Sequence, residues 1–117
     1  MTAMTEDELL TGVIEAAASG GWLTFHVRGY HPGIVQGHVG FPDLVAVHRD
    51  RGLVVWIETK TATGRVDEAQ ERWHAALRAA GADVRVIRPD DYDATVEWLL
   101  GDRLLRGDRR IRAKAGR

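Results

Sequence analysis

Two short apolar runs near the middle of the chain, Leu44–Val47 and Leu53–Ile57, are rich in β-branched and aliphatic residues. Asp50-Arg51-Gly52 between them is turn chemistry, so the runs read as two strands of a buried hairpin. Towards both ends the pattern changes to helical spacing. Thr5 precedes Glu6, Asp7 and Glu8, an N-cap with acids in the first turn, and Leu9, Leu10, Val13, Ile14 and Ala17 then share one face up to Gly20-Gly21. Trp22–Arg28 alternates apolar and polar and predicts the first strand, with His26 a structural residue beside Trp22 and Thr24. Asp67 followed by Gln70 is a capping-box pattern that opens a helix through Ala80, stopped by Gly81. Its predicted buried stripe is Ala69, Trp73, Ala76, Leu77 and Ala80, with Gln70 at the border. Val84–Arg88 is the next strand, Pro89-Asp90-Asp91 ends it, and Tyr92–Leu100 is a short helix.

The predicted order is α-β-β-β-α-β-α. A helix between Leu53–Ile57 and Val84–Arg88 is a βαβ crossover, which makes those two strands parallel. The expected fold class is therefore α/β, a mixed β-sheet flanked by helices. With 117 residues, one core can be built but not two. A single domain over residues 1–102 with a basic tail over 103–117 is expected. The segment Gly29–Gly40 holds four glycines and one proline in twelve residues and has no core-forming period, which marks a functional loop. It immediately precedes Asp43, so His31, Gln36 and His38 become candidates to meet substrate.

Composition narrows the class. Hydrophobic residues make up 44% and charged residues 28%, the balance of a soluble globular domain. There is no cysteine, hence no disulfide framework and no thiolate metal site. No apolar run is long enough for a membrane span, and the acidic N-terminus does not resemble a signal peptide, so a cytoplasmic location is expected. The net charge of −1 hides an asymmetry. Residues 103–117 carry seven Arg or Lys and one Asp, a charge of +6, which leaves −7 for the rest. A basic tail on an acidic body suits a protein that holds a polyanion while keeping carboxylates free for a cation.

Those carboxylates stand where a buried hairpin has no structural use for them. Pro42-Asp43 enters the first hairpin strand and Glu58-Thr59-Lys60 ends the second. Side chains alternate along a strand, so Glu58 and Lys60 share a face with Trp56 and Val54. In an antiparallel pair Asp43, Glu58 and Lys60 then converge at one end. Two adjacent carboxylates repel unless a cation lies between them, and all-oxygen ligation suits Mg²⁺ or Mn²⁺. The plainer alternative is a Glu58/Lys60 pair at a strand end with Asp43 as a turn residue. On a helical wheel Glu6 projects with Leu10, Val13 and Ala17, an unusual place for an acid.

Asp43 with Glu58-x-Lys60 resembles the PD-(D/E)xK nuclease superfamily. GFPDLV at 40–45, WIETK at 56–60, GRVDEAQ at 64–70, Trp73, Leu77 and Gly81 before a strand are similar to the VRR-NUC family within it. The likeness spans residues 5–100 and implies a restriction-endonuclease-like core. It implies a metal-dependent nuclease that hydrolyses DNA phosphodiester bonds, structure-selective for branched, nicked or single-stranded DNA, with no nucleotide cofactor and no membrane partner. Asp43, Glu58 and the backbone carbonyl of Thr59 would hold Mg²⁺ or Mn²⁺. Glu6-x-x-Leu9 matches the setting in which related nucleases, Holliday-junction resolvases among them, supply a further Glu, here through water. Lys60 would position or deprotonate the attacking water, with Gln70 in support. His31, His38, Arg65, Arg72, Arg109, Arg110 and Arg112 are candidate DNA contacts. Related junction-cutting enzymes pair two sites, so a homodimer is expected, with an exposed Trp/Leu cluster at Trp98 and Leu104-Leu105 as its contact; the plainer alternative is that Trp98, Leu99 and Leu105 close the core of a monomer. The alternative function is a nuclease-fold DNA-binding or assembly protein without turnover.

Overall fold

The computed structural model describes residues 4–26 and 37–101. Helix α1 covers Glu6–Ser19, capped by Thr5, whose hydroxyl accepts from the Glu8 amide while the Glu8 carboxylate accepts from the Thr5 amide. Strands β1 (Leu23–His26), β2 (Leu44–His48) and β3 (Leu53–Thr59) follow, then α2 (Glu68–Ala79), β4 (Asp83–Ile87), a single 3₁₀ turn at Pro89–Asp91 and α3 (Tyr92–Leu100). The sheet order is β1-β2-β3-β4. β1 and β2 are antiparallel, as are β2 and β3, and the α2 crossover makes β3 and β4 parallel. The fold is the predicted mixed sheet with helices on both faces, and the apolar hairpin occupies its centre.

One face of the sheet carries the core. Leu44 and Ala46 of β2 and Val55 and Ile57 of β3 are fully buried there against Leu9, Val13 and Ala17 of α1 and Leu99 of α3. Trp22 joins them, its indole N–H donating to the Leu99 carbonyl at 2.8 Å. Trp98 does not form the expected exposed contact. Its ring packs 5.2 Å from that of Trp22, under the Arg85 guanidinium at 3.7 Å, and Leu99 is inaccessible. Aromatic and cationic partners within the same chain therefore use up this surface, and α3 closes the monomer's core. Leu104 and Leu105 lie outside the described residues.

The other face is divided. α2 covers the β3–β4 half, while Leu23 and Phe25 of β1, Val47 of β2 and Val54 of β3 stay exposed. The register Leu23↔Val47↔Val54 sets three of them side by side. α2 also presents a different face from the one predicted. Ala76 and Ala80 are exposed, Ala69, Trp73 and Leu77 are half-buried, and the one residue of α2 fully inside is His74. The apolar count drew the predicted stripe towards the alanines, whereas the buried line runs through Gln70, His74 and Leu77, spaced i, i+4, i+7.

Candidate active site

The hairpin register brings the acids together. Leu44 pairs with Ile57, so Asp43 and Glu58, each one residue beyond that pair, face each other across the strand ends. Asp43 is held by the next residue of β3. Its Oδ2 accepts from the Thr59 amide at 2.8 Å and from the Thr59 hydroxyl at 2.9 Å, which fixes the carboxylate beside Glu58. Gly40 sets the approach to β2. Its φ is +96°, and a Cβ there would lie 2.5 Å from the Ala69 carbonyl carbon and 2.8 Å from the Gln70 amide nitrogen. Only glycine lets this backbone touch the start of α2 so closely.

α2 answers from above. Asp67 caps it, Oδ1 accepting from the Gln70 amide at 2.8 Å while Gln70 Oε1 accepts from the Asp67 amide at 3.0 Å. The remaining group of that side chain, Gln70 Nε2, donates to Glu58 Oε2 at 3.0 Å. Gln70 thus serves the cap and the site together. One turn later His74, 3% exposed, places Nε2 3.4 Å from Glu58 Oε1. The sequence reading missed this residue; the signal was its place four residues after Gln70, on the same helix face.

Electrostatically the centre of the site is Glu58, 1% exposed. Burial pushes its carboxyl up to about 8, the neighbouring Asp43 charge adds to this, and Lys60 pulls it back. Burial, aided by the Arg78 guanidinium, holds the His74 ring below the ordinary imidazole range. Lys60 is 8% exposed, and among the described residues no carboxylate or carbonyl hydrogen-bonds its ammonium. An ammonium kept dry without a direct partner costs stability, so it has little structural reason to be there.

Glu6 is exposed rather than on the buried stripe. It still faces the site. Its Oε2 approaches the Gly64 turn, and its charge contributes to raising Glu58. That turn is tied down by Arg88, whose NH1 donates to the carbonyls of Thr61 and Gly64 at 2.8 and 2.7 Å. Arg65 and Arg88 line an open polar hollow there, with Glu71 opposite. On the far side of Gln70, His38, Val39, Arg72 and Trp73 line an apolar groove of about 410 Å³. The Trp73 indole donates to the His38 carbonyl at 3.1 Å and its ring meets Phe41 edge-on at 4.9 Å. His31, Gln36, Arg109, Arg110 and Arg112 lie outside the described residues.

The donor set meets the requirements of a hard cation. Asp43 and Glu58 supply carboxylate oxygens; burial first, and the Asp43 charge second, raise the Glu58 carboxyl, and a cation between the two acids would lower it. No group of three or more His, Asp or Glu side chains is arranged to hold a metal among the described residues. Two carboxylates with a backbone carbonyl and water are nevertheless a sufficient shell for Mg²⁺.

The VRR-NUC domain profile matches residues 30–91, more than half of the chain. The chain belongs to the VRR-NUC domain family. A solved structure described as a VRR_NUC domain is 26% identical, covering 80% of this chain and 97% of its own, with a TM-score of 0.63. A second, described as a VRR_NUC domain protein, shares the fold at 20% identity and a TM-score of 0.59, over 83% and 88% of the two chains. A 74-residue stretch is 40% identical to part of UDP-N-acetylenolpyruvoylglucosamine reductase of Salinispora arenicola (strain CNS-205), 62% of this chain. The matched stretch spans one fifth of that reductase's length. VRR-NUC membership brings a nuclease-like fold. The matched segment contains Asp43, Glu58, Lys60, Gln70 and His74 but not Glu6.

Proposed function

We propose that this VRR-NUC domain is a Mg²⁺- or Mn²⁺-dependent endodeoxyribonuclease. The observation that carries the reading is the convergence of Asp43, a buried Glu58 and a buried Lys60, whose charge acts on Glu58, at one end of the central hairpin. Asp43, Glu58 and the Thr59 carbonyl are the residues that would hold the cation, with Glu6 acting through water. The cation, when bound, lowers the pKa of a water and stabilises negative charge on the phosphoryl oxygens. Thr59 keeps Asp43 aimed by its two hydrogen bonds, and Gln70 keeps Glu58 aimed by one. Lys60 orients the attacking water and screens the charge that develops as oxygen adds to phosphorus and the P–O bond to the leaving sugar breaks. Arg65 and Arg88 on one side, and Arg72 with His38 on the other, flank the site where a DNA backbone would run.

A nuclease-fold DNA-binding protein without turnover would have no reason to keep a buried ammonium, Lys60, beside two carboxylates. The active form is a homodimer, in which two minimal sites act on two strands. Its contact is the exposed Leu23, Phe25, Val47 and Val54 patch, 77%, 64%, 39% and 40% accessible. Supercoiled, single-stranded, nicked and four-way-junction DNAs, incubated with Mg²⁺ or Mn²⁺, test the activity. Cleavage of at least one by the wild type and none by Lys60→Ala is expected. Inert wild type in both metals, or full activity in Lys60→Ala, would refute the proposal.

A further inference from the structure

The apolar groove beside Gln70 has walls that are tied together in two places. The Trp73 indole donates to the His38 carbonyl at 3.1 Å, and Gly40 lies so close to α2 that a Cβ there would stand 2.5 Å from the Ala69 carbonyl carbon. His38, Val39, Ala69, Arg72, Trp73 and Ala76 line the space between, about 410 Å³. That volume falls within the range of small-ligand sites, roughly 300–1,000 Å³. Alanines on the α2 side leave room for a flat group to lie against the helix.

Two kinds of chemistry meet in this groove. Trp73 is half-buried, its N–H is already used, and Phe41, itself 42% exposed, backs its ring edge-on at 4.9 Å. What Trp73 turns to the groove is therefore aromatic surface without a free donor, beside an exposed Val39. Arg72 brings a positive charge. Among the described residues it makes no hydrogen bond or ion pair, with Glu68 one turn earlier or with any other, and no carboxylate lines the groove. A ring for stacking and an unspent guanidinium for a phosphate are the two halves of a nucleotide site.

Its place in the fold fits that occupant. Trp73 follows Gln70 by one turn of α2, about 4.5 Å of rise, and Gln70 donates to Glu58. Phe41 stands two residues before Asp43. The groove thus opens next to the paired carboxylates, on the same helix and the same loop. A base inside a duplex is stacked on both faces already, so only an unpaired base can give a face to a side chain.

We infer that this groove takes one unpaired nucleotide beside the cleaved phosphate, its base stacked on Trp73 and its phosphate on Arg72. The inference rests on reading the chain as a domain that acts on DNA, and it adds a base-holding subsite to the metal-centred one.

Binding measured in EDTA, without cleavage, tests it with labelled single-stranded oligodeoxythymidylate and a blunt duplex of equal length. Trp73→Ala should weaken the single strand about tenfold or more, and the duplex less than about threefold. Trp73→Phe, which keeps a ring, should recover most of the loss. Should Trp73→Ala fail to fold, Ala76→Leu carries the test, since it fills the groove from an exposed helix position and should produce the same selective loss. Equal losses on both DNAs, or unchanged single-strand binding in both variants, overturn the inference. So does a Trp73→Ala protein that changes its sedimentation but not its DNA binding, because the groove is then a contact between copies. Wild type that binds neither DNA overturns it too. Wild type that binds the single strand through Trp73 yet cuts nothing in Mg²⁺ or Mn²⁺ supports the groove and refutes the nuclease reading alone.

Discussion

Glu58 and Lys60 have opposite effects on stability and function, and both effects are measurable. The Glu58 carboxyl titrates near 8 in the folded chain and near 4.5 in the unfolded one. Between those values the folded state binds one more proton, so metal-free stability is greatest at the acidic end and falls as pH rises. The slope reaches at most about 1.4 kcal/mol per pH unit for one group. Chemical denaturation from pH 5 to 8 should show this decline in the wild type and a flatter profile in Glu58→Gln. Metal binding requires the ionised carboxylate, so the apparent Mg²⁺ affinity should rise over the same window. Lys60→Met removes a dry ammonium. At pH 6, where Glu58 is protonated, it should stabilise the chain by about 1–3 kcal/mol. A destabilised Lys60→Met would mean that the ammonium has a structural partner after all.

The elements that place these residues were unequally legible. The hairpin could be read from two apolar runs joined by the turn residues Asp50-Arg51-Gly52, and the register that buries Leu44, Ala46, Val55 and Ile57 together brings Asp43 to Glu58. The capping box of α2 could be read from Asp67 and Gln70, although not its rotation. Three half-buried apolar residues and several exposed alanines left the stripe ambiguous, and a polar line through Gln70 and His74 has no hydrophobic signal. Glu6 stands at the helix start as expected, yet a wheel assigns it to the buried stripe where the fold leaves it exposed. Gly40 looked like one glycine of a loop, and its role depends on contact with residues twenty-nine and thirty positions later. Gly40→Ala should cost about 2–4 kcal/mol, from the left-handed backbone and the clash with α2 together. It should also impair cleavage by pushing Gln70 off Glu58. Urea melts and a cleavage assay on the folded fraction check both effects, and a neutral Gly40→Ala would mean that the two segments do not touch.

Across the whole molecule, the helices of one sheet face close a complete core, while the outer half of the other face is left apolar and open. Which tryptophans would be exposed could not be read from their number. Trp98 is satisfied within the chain by Trp22, Arg51 and Arg85, and the open surface comes instead from Leu23 and Phe25 on the edge strand. Sedimentation should therefore find a dimer for the wild type and a 13.0 kDa monomer for Phe25→Glu, whereas an unchanged dimer would move the contact elsewhere. The central claim is metal-dependent hydrolysis by Asp43, Glu58 and Lys60. Single-turnover nicking of supercoiled plasmid, titrated with Mg²⁺ for wild type, Asp43→Ala and Lys60→Met, tests it most directly. The account predicts saturable nicking by the wild type, none by Asp43→Ala at any Mg²⁺ concentration, and a loss of about 10²-fold or more in Lys60→Met that added Mg²⁺ does not restore. Nicking that is indifferent to Mg²⁺, or that survives in both variants, would contradict it.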